Sequence, residues 1–380
     1  MIIFEPNKRM NRLTMYNWQL KDWRQFQFHE AEFTGIALQF MALAGESRGS
    51  IQSLSGSNKD ESVINLLVQE ALKTSAIEGE FLSRVDLVSS IRKNLGYTTP
   101  AHRVKDKRAE GIATLLVKAR QDFDSDLTET QLFEWHRLLM LGNKNINTGK
   151  YRSHAEPMQV VSGAIGKEII HFEAPPSARV PAEMQQFFEW FNKTKPGSKQ
   201  PIHNLLIRAS IAHLYFETLH PFEDGNGRIG RVIAEKALAQ GLRLPILMSL
   251  STAIEADKKL YYAALKQAQR TNDLTEWIHY FSETILKAQQ DFISAVNFTV
   301  KKTVFFDKYR SQLNEAQLKV INRMLEDGKA AFVGGMNAQK YQSITQVSKA
   351  TATRHLQDLV EKGVFISEKG GRSTNYQVNL

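Results

Sequence analysis

The most informative segment of this chain of 380 residues reads His220-Pro-Phe-Glu-Asp-Gly-Asn-Gly-Arg-Ile-Gly-Arg231. Apolar residues at helical spacing run up to Leu219, and Pro221 disfavours helical geometry in the residue before it, so a helix is expected to end there. Helical spacing resumes with Ile229 and Ile233. The segment is therefore predicted to hold a glycine-rich loop that leads into the N-terminus of a second helix.

This loop has the residue types of an anion site. Gly225 and Gly227 permit positive φ and a close approach to the backbone. A helix N-terminus directs free N–H groups and the positive end of the helix dipole toward one point. Arg228 and Arg231 are three residues apart and share a helix face, where each guanidinium group can bind phosphate oxygens with two N–H groups. Asp224 offers a hard oxygen ligand that suits Mg²⁺ beside a phosphate.

His220 is the candidate general base, because an imidazole titrates near neutrality and lies next to the loop. The combination favours binding of a polyphosphate with Mg²⁺ and a phosphoryl or nucleotidyl transfer. The segment lacks the Walker A sequence and follows no strand, so it is neither a P-loop nor a dinucleotide fingerprint. Taken singly, these features are more typical of a helix cap, a turn or a solvated face. Their combination within twelve residues supports the functional interpretation.

The segment resembles the signature of Fic proteins, His-x-Phe-x-Asp/Glu-Gly-Asn-Gly-Arg-x-x-Arg, and every defined position matches. The resemblance implies a mainly α fold and transfer of AMP from ATP to a Ser, Thr or Tyr hydroxyl of a target protein or of the chain itself. It implies that His220 deprotonates the hydroxyl, that Asp224 binds Mg²⁺ and that Phe222 anchors the loop in the core.

The resemblance also implies nucleotide contacts. They lie at Asp224, Gly225, Asn226, Gly227, Arg228, Ile229, Gly230, Arg231, Tyr262 and Gln269. Within this set, Asn226 and the loop N–H groups are expected at the α-phosphate, and the two arginines at the distal phosphates. Tyr262 and Gln269 fall where relatives place residues that contact the nucleoside.

Two upstream elements also resemble the family. Gly149-Lys-Tyr-Arg152 resembles a Gly-x-aromatic-Arg element that precedes a hairpin. Short β-branched runs flank Gly163 to Gly166 and predict that hairpin at about residues 159–172. It resembles the family's flap, on which an extended target segment docks as an added strand. An ordinary edge hairpin is the alternative interpretation.

A second motif, Thr74-Ser-Ala-Ile-Glu78-Gly79, lies in a predicted helix of about residues 62–80. It resembles Ser/Thr-x-x-x-Glu-Gly/Asn of Fic proteins with an N-terminal inhibitory helix, in which the glutamate pairs with the second signature arginine. By this resemblance Thr74, Glu78 and Gly79 form an inhibitory motif. Glu78 would then bind Arg231 and compete with the γ-phosphate for the same donors. The sequence leaves open whether Glu78 instead activates water for removal of AMP.

The last part of the chain, from about residue 314, resembles a winged helix-turn-helix, in which helices precede two strands and a Gly370-Gly371 turn. Residues 348–356 have the composition of a recognition helix, and residues 369–372 would form the wing. From residue 311 to 380 there are nine Lys and Arg and six Asp and Glu, a weakly basic balance. DNA binding through residues 343–380 is therefore open, and so are protein contacts and a homodimer.

Composition limits the remaining classes. The chain has no cysteine, which excludes disulfides, thiolate nucleophiles and Cys-ligated zinc. No apolar run is long enough for a membrane span, and the N-terminus lacks a secretory pattern, so a soluble cytoplasmic protein is expected. The 49 Lys and Arg exceed the 40 Asp and Glu by nine, which is compatible with a phosphate-bearing partner.

We therefore expect a mainly α protein with three domains: a cap subdomain rich in Trp and Phe (1–56), a Fic catalytic domain that includes the inhibitory helix (57–305), and a winged-helix domain (306–380). The leading hypothesis is a self-inhibited, Mg²⁺-dependent protein adenylyltransferase. One alternative is a transcriptional regulator whose Fic core only senses a nucleotide. Another is a Fic enzyme that moves UMP, phosphocholine or a γ-phosphate.

Overall fold

The computed structural model describes residues 15–97, 103–143, 146–162, 169–326, 332, 334–368 and 374–380. Within these residues the protein is mainly α, as the helical patterning predicts, and has two small antiparallel sheets. The helices are α1 (Thr34–Ser53), α2 (Gly56–Ile77), α3 (Arg84–Asn94), α4 (Lys107–Gln121), α5 (Glu129–Leu139), α6 (Val180–Lys193), α7 (Leu205–Leu219), α8 (Asn226–Leu242), α9 (Leu250–Ala256), α10 (Lys258–Ala268), α11 (Thr275–Tyr309), α12 (Glu315–Met324), α13 (Ala338–Thr345) and α14 (Lys349–Glu361). The strands are β1 (Gln159–Ser162), β2 (Ile169–Glu173), β3 (Phe365–Ser367) and β4 (Tyr376–Val378).

The chain forms two compact units. The first comprises Met1–Gly49 and Ser55–Phe292, and the second comprises Ser50–Leu54 and Ile293–Leu380. The three domain boundaries expected from the sequence stay a prediction.

In the first unit, the pair α7 and α8 lies at the centre. Every residue of α7 is buried, which is the behaviour of a helix that is surrounded by other helices on all sides. Asn204 caps its N-terminus by accepting hydrogen bonds from the N–H groups of Leu206 and Ile207. Because α7 and α8 pack against each other along their length, the loop between them has rigid helices at both ends.

Helix α2 packs against α3, α4, α8 and α9. Its buried carboxylate, Glu70, accepts hydrogen bonds from the Ser249 hydroxyl (2.8 Å) and the Ser251 N–H (3.0 Å) at the start of α9. These bonds fix the position of α2 along its axis. They therefore also fix where its C-terminus lies relative to α8.

The N-terminal segment that begins at Tyr16 packs onto the same unit. The Trp18 indole N–H donates to the carbonyl of Glu173 at the end of β2 (2.8 Å), and the Trp23 indole N–H donates to Glu183 of α6 (3.1 Å). The composition of this segment had indicated a separate subdomain but no role. In the structure, its indoles supply polar contacts to the base of the hairpin and to α6.

The predicted hairpin is confirmed by the antiparallel pair β1 and β2. Val160 lies opposite Phe172, and Val161 lies opposite Ile170, with a register shift between the two pairs. Such a bulge twists a two-stranded ribbon and turns its side chains. The tip of the predicted hairpin, residues 163–168, lies outside the described residues.

The second unit contains α12, α13 and α14 and the antiparallel pair β3 and β4. Its core includes Val320, Tyr341, Leu356, Leu359 and Phe365. The elements follow the order expected for a winged helix-turn-helix, and the assignment to that class stays a prediction. The predicted wing, residues 369–372, lies outside the described residues.

Among the residues that the structure describes, no helix is both long and apolar enough to span a membrane.

Candidate active site

Helix α7 ends at His220, as the following proline predicts. His220 itself adopts a left-handed conformation, with φ of 45° and ψ of 58°. This conformation is unfavourable for a residue with a Cβ atom, so the surroundings must hold it in place. The left-handed backbone turns the chain sharply out of α7 and into the loop.

Arg152 holds this turn. Its guanidinium group donates to the carbonyl oxygens of His220 (2.8 Å) and Pro175 (2.5 Å) and to the Ser177 hydroxyl (2.9 Å). Its backbone N–H donates to the carbonyl of Pro221 at 3.0 Å. Burial lowers the pKa of Arg152 to about 10, so the group stays charged at neutral pH. The Gly-x-aromatic-Arg element thus contributes an arginine that braces the end of α7.

His136 supports the loop from α5. Its ring stacks on Phe222, with ring centroids 4.0 Å apart and planes 7° apart. Nδ1 accepts the N–H of Gly149 (2.8 Å), so Nε2 carries the proton and donates to the carbonyl of Asp224 (3.2 Å). Burial lowers the pKa of His136 to about 4, which keeps this neutral form. Phe222 thus anchors the loop in the core, as expected, and His136 is a supporting residue that no sequence motif indicated.

Two residues close the loop. The Asn226 side chain both accepts the N–H of Phe222 and donates to its carbonyl, each at 2.9 Å. Gly225 has φ of 84°, and a Cβ atom there would lie 2.4 Å from the Met140 Cε atom. The predicted need for glycine at 225 is therefore confirmed, and Asn226 braces the loop through its side chain.

Gly227 corrects one expectation. It lies in α8 and is not among the residues with positive φ, so conformational freedom is not the reason for glycine there. A Cβ atom at Gly227 would instead lie 2.5 Å from Oε1 of Glu78. At Gly230 a Cβ atom would lie 2.2 Å from Oε1 of Glu217. Both glycines give acidic side chains access to the helix backbone.

Arg231 is 1% exposed and is bound by the end of α2. Its Nη2 atom lies 2.8 Å from Oε1 of Glu78 and 3.0 Å from the carbonyl oxygen of Thr74, to both of which it donates. Its Nε–H donates to the Thr74 hydroxyl at 2.8 Å. The structure therefore contains the contact between Glu78 and Arg231 that the resemblance implies. Gly79 follows with φ of 82°.

Arg228 has an acidic partner that the sequence analysis did not anticipate. Its side chain is 3% exposed, and its Nη1 atom lies 2.9 Å from Oε2 of Glu80. A longer contact of 3.6 Å joins Nη2 to Oδ2 of Asp224. Two carboxylates separated by one glycine thus contact two arginines of α8.

The arginines retain capacity for another anion. Nε of Arg228 and Nη1 of Arg231 are buried and have no hydrogen-bond partner among the described residues. The N–H of Ile229 donates to the carbonyl of Gly225 and is the first intrahelical donor of α8. The N–H groups of residues 226–228 come before it and therefore lie at the open N-terminus of the helix. Unpaired guanidinium and helix N-terminal donors at one place fit the oxygens of a phosphate chain.

The residues also fit a magnesium ion that arrives with a phosphate chain. Among the described residues, no group of three or more His, Cys, Asp or Glu could hold a metal. Asp224 supplies one carboxylate, which is 47% exposed and lies next to the arginines. Mg²⁺ characteristically uses one or two carboxylates together with water and substrate phosphate oxygens.

The three remaining predicted contacts lie in different surroundings. Ile229 is buried in the core side of α8, and Gln269 is buried with its amide donating to the carbonyl of Glu217 at 3.4 Å. Tyr262 is partly exposed, with the Lys258 ammonium 5.7 Å from its ring centroid. Their contacts with a nucleotide stay predictions.

Titration of the site follows from burial. Burial and, to a smaller extent, Arg152 lower the pKa of His220 to about 4. Its imidazole is therefore neutral at pH 7 and can accept a proton. Burial raises the pKa of Glu217 to about 8, so this carboxyl group beneath Gly230 is largely protonated at neutral pH.

The segment that contains this site is similar to known proteins. Residues 126–238 match the Fic/DOC family model, and residues 16–97 match a domain of unknown function, DUF4172. Protein adenylyltransferase fic-1 of Caenorhabditis briggsae is 26% identical over 183 residues, which are 48% of this chain and 31% of that protein. A probable protein adenylyltransferase of Aquifex aeolicus is 28% identical over 98 residues, 26% of this chain and 27% of that protein. The chain thus matches about a third of the length of these relatives or less.

Two solved structures share the fold. A Fic family protein from Desulfovibrio desulfuricans G20 has a TM-score of 0.50 at 20% identity, covering 91% of this chain and 96% of that chain. A Fic domain containing signaling protein from Bacteroides thetaiotaomicron has a TM-score of 0.51 at 20% identity, covering 68% of this chain and 97% of that chain.

The lowered pKa of His220 predicts how the site responds to acid. Its ring should stay neutral between pH 8 and pH 5, whereas an ordinary histidine is protonated near pH 6.5. Because the unfolded chain takes up this proton first, the contribution of His220 to stability should decrease as pH falls from 6.5 toward 4. NMR of the histidine rings, with His220→Gln to assign the signal, measures the pKa directly. A midpoint between pH 6 and 7 would contradict the burial argument.

Gly225→Ala should destabilise the protein by about 2–4 kcal/mol, because it adds a left-handed alanine and a clash with Met140. Gly197→Ala is the matched control, since Gly197 also has positive φ but a Cβ atom there would have nothing within 4 Å. This control should cost about 1 kcal/mol. Urea unfolding compares the two variants, and equal losses would show that the contact at Gly225 contributes nothing.

Proposed function

We propose, from the Fic/DOC domain that this chain carries at residues 126–238, that it is a nucleotidyltransferase which moves AMP from ATP to a hydroxyl group of a protein. The observation that carries the proposal is the pair of buried arginines with unpaired donors at the N-terminus of α8. They lie on the same helix–loop segment as His220, which is neutral at pH 7. A polyphosphate site next to a proton acceptor is what this reaction requires.

In the proposed reaction, His220 accepts the proton of a Ser, Thr or Tyr hydroxyl as its oxygen attacks the α-phosphorus of ATP. The new oxygen–phosphorus bond forms as the bond from the α-phosphorus to the bridging oxygen breaks, and pyrophosphate leaves. Arg228 and Arg231 bind the distal phosphates. The first N–H groups of α8, held in position by Asn226, stabilise charge on the α-phosphate.

Magnesium, bound with ATP through Asp224, would neutralise negative charge on the phosphates. His220 depends for its position on Arg152, whose charge also favours the neutral imidazole. Through the carbonyl of Asp224 and the ring of Phe222, His136 holds the other side of the loop. The loop is thus held in position by groups of the chain itself, which favours a preorganised site.

Glu78 supports a second part of the proposal, self-inhibition. It occupies Nη2 of Arg231, a donor that the γ-phosphate would use. ATP bound while this pair persists would present its α-phosphorus out of line with the attacking oxygen. A misplacement of about 1 Å can reduce the rate about a hundredfold. The same carboxylate is also placed on the loop side of α8, where it could activate water to remove AMP.

The β1–β2 hairpin is the proposed docking site for the target. Val161 and Ile170 lie opposite each other and are about half exposed, at 48% and 47%. An extended target segment paired along this ribbon would present its hydroxyl to the loop, as in other cases of strand addition. Segments of the chain itself are candidate targets. A soluble cytoplasmic location and a homodimer complete the proposal.

The second unit supports one additional candidate activity, binding of double-stranded DNA. In α14, Ala352, Leu356 and Leu359 are buried, while Lys349, Thr353, Arg354 and Gln357 are exposed. Three residues join α13 to α14, and the first of them, Gln346, is left-handed with φ of 59°. A polar helix face that follows such a short turn is typical of a recognition helix.

The central test of the function is transfer of label from ATP labelled with ³²P at the α-phosphate. Glu78→Gly should raise labelling of protein about tenfold or more over the native chain, because it frees Arg231. Adding His220→Ala should then reduce labelling at least about a hundredfold, since the base is lost. ATP labelled at the γ-phosphate controls for kinase activity. No protein label in any variant that binds ATP would contradict AMP transfer and favour the nucleotide sensor or another donor.

DNA binding is tested by fluorescence anisotropy with random-sequence duplex at increasing salt. Arg354→Ala should weaken binding and reduce the slope of log K against log salt by about one. Lys319→Ala, which removes an exposed charge from α12 instead, is the control and should change the slope less. No salt-dependent binding by the native chain would exclude this candidate activity.

A further inference from the structure

Each of the two arginines of α8 is paired with a different carboxylate of the segment that follows α2. Glu78 contacts Arg231 at 2.8 Å, and Glu80 contacts Arg228 at 2.9 Å. Neither arginine is more than 3% exposed, so each guanidinium group has been removed from bulk water. A carboxylate beside a buried guanidinium group offsets part of the cost of removing the charge from water, and the segment Glu78-Gly79-Glu80 supplies one to each arginine.

The turn at the end of α2 explains how two nearby carboxylates reach two arginines. The Glu80 N–H donates to the carbonyl of Ser75 (2.9 Å), and the Gly79 N–H donates to that of Ala76 (3.0 Å). With Gly79 at φ of 82°, this is the hydrogen-bond pattern of a Schellman C-cap. A Cβ atom on Gly79 would have nothing within 4 Å, so the glycine is required for its backbone conformation and not for space.

This geometry matches the spacing of the arginines. Arg228 and Arg231 lie one helical turn apart on α8, and the Schellman turn places the two carboxylates beside them on the facing segment. The two ion pairs run in opposite order along the two segments. Glu78, which is closer to α2, contacts Arg231, and Glu80 contacts Arg228, which is closer to the start of α8. Displacing Glu78 alone leaves Arg228 paired with Glu80.

We propose that Glu80 is a second inhibitory residue, and that residues 78–80 occupy both arginines as an internal polyanion that competes with the phosphate chain of the nucleotide. The inhibitory consequence rests on the proposed function. The competition itself requires only that the two arginines bind phosphate. Full release of the site then needs both carboxylates to leave, and loss of Glu78 alone gives partial release.

The probe for this competition is inorganic tripolyphosphate without Mg²⁺, which binds arginines but has no nucleoside and undergoes no transfer. Isothermal titration calorimetry should show about tenfold tighter binding for Glu80→Gln than for the native chain, since the ion pair that Glu80 makes with the buried guanidinium group of Arg228 is lost as a competitor. Glu78→Gln should give a similar gain. The double variant should exceed either single variant by about tenfold more.

Glu255→Gln is the matched control. Glu255 pairs with Lys73 of α2 at 3.0 Å, with exposure similar to that of Glu80, but contacts neither arginine in the ion pairs of the described residues. It should leave tripolyphosphate affinity unchanged within about twofold. Thermal unfolding of each variant verifies that α2 remains folded, and Glu80→Ala, which removes both charge and acceptor, provides a second measure of the same contact.

The outcomes separate this proposal from the proposed function. If Glu80→Gln and Glu80→Ala bind tripolyphosphate within twofold of the native chain, alone and with Glu78→Gln, the second inhibitory role is wrong even if AMP transfer occurs. If they bind it about tenfold more tightly while no variant transfers AMP, the competition is established and the proposed function fails. If affinity and AMP transfer both rise when Glu80→Gln is added to Glu78→Gln, both proposals are supported.

Discussion

Burial of two guanidinium groups at the N-terminus of α8 is the constraint around which the first unit is organised. Arg228 and Arg231 carry charge away from water, and the carboxylates of Glu80 and Glu78 beside them offset part of the cost of burying it. In this structure the negative charge comes from the end of α2, which explains why Gly227 has no side chain where Glu78 approaches. A ligand with several phosphates would satisfy the same requirement, so ligand and protein segment are alternatives for one position.

The loop before α8 is held from both sides by contacts within the chain. Arg152 fixes the left-handed turn at His220, and His136 holds the carbonyl of Asp224 while it stacks on Phe222. Burial lowers the pKa of His136 to about 4, which keeps its ring neutral at pH 7, and Arg152 remains charged although burial lowers its pKa to about 10. The loop is therefore a rigid element, and the segment after α2 is the part of the site that must move if a nucleotide is to bind productively.

Periodicity, proline and β-branched residues predicted the secondary structure near the site. The end of α7 at His220 and the hairpin of β1 and β2 are present. What the sequence could not show is which partners meet in three dimensions. His136 is separated from Asp224 by 88 positions, and nothing local marks it as a support for the loop. Glu80 did carry a signal, because two carboxylates around a glycine match two arginines one turn apart, but the motif drew attention to Glu78 alone.

The anchoring of α2 by Glu70 has a consequence for how the block responds to its surroundings. A carboxylate on a tethered helix acts at a fixed effective concentration, which for short connections reaches the millimolar range or above. Diluting the protein cannot weaken such a competitor, and neither can a change in its level in the cell. Under the proposed competition, the balance would shift with the concentration of the nucleotide, or with an event that weakens the hydrogen bonds from Ser249 and Ser251 to Glu70. A buried hydrogen-bond cluster on α2 and α9 would then influence the nucleotide concentration at which the arginines of α8 are released.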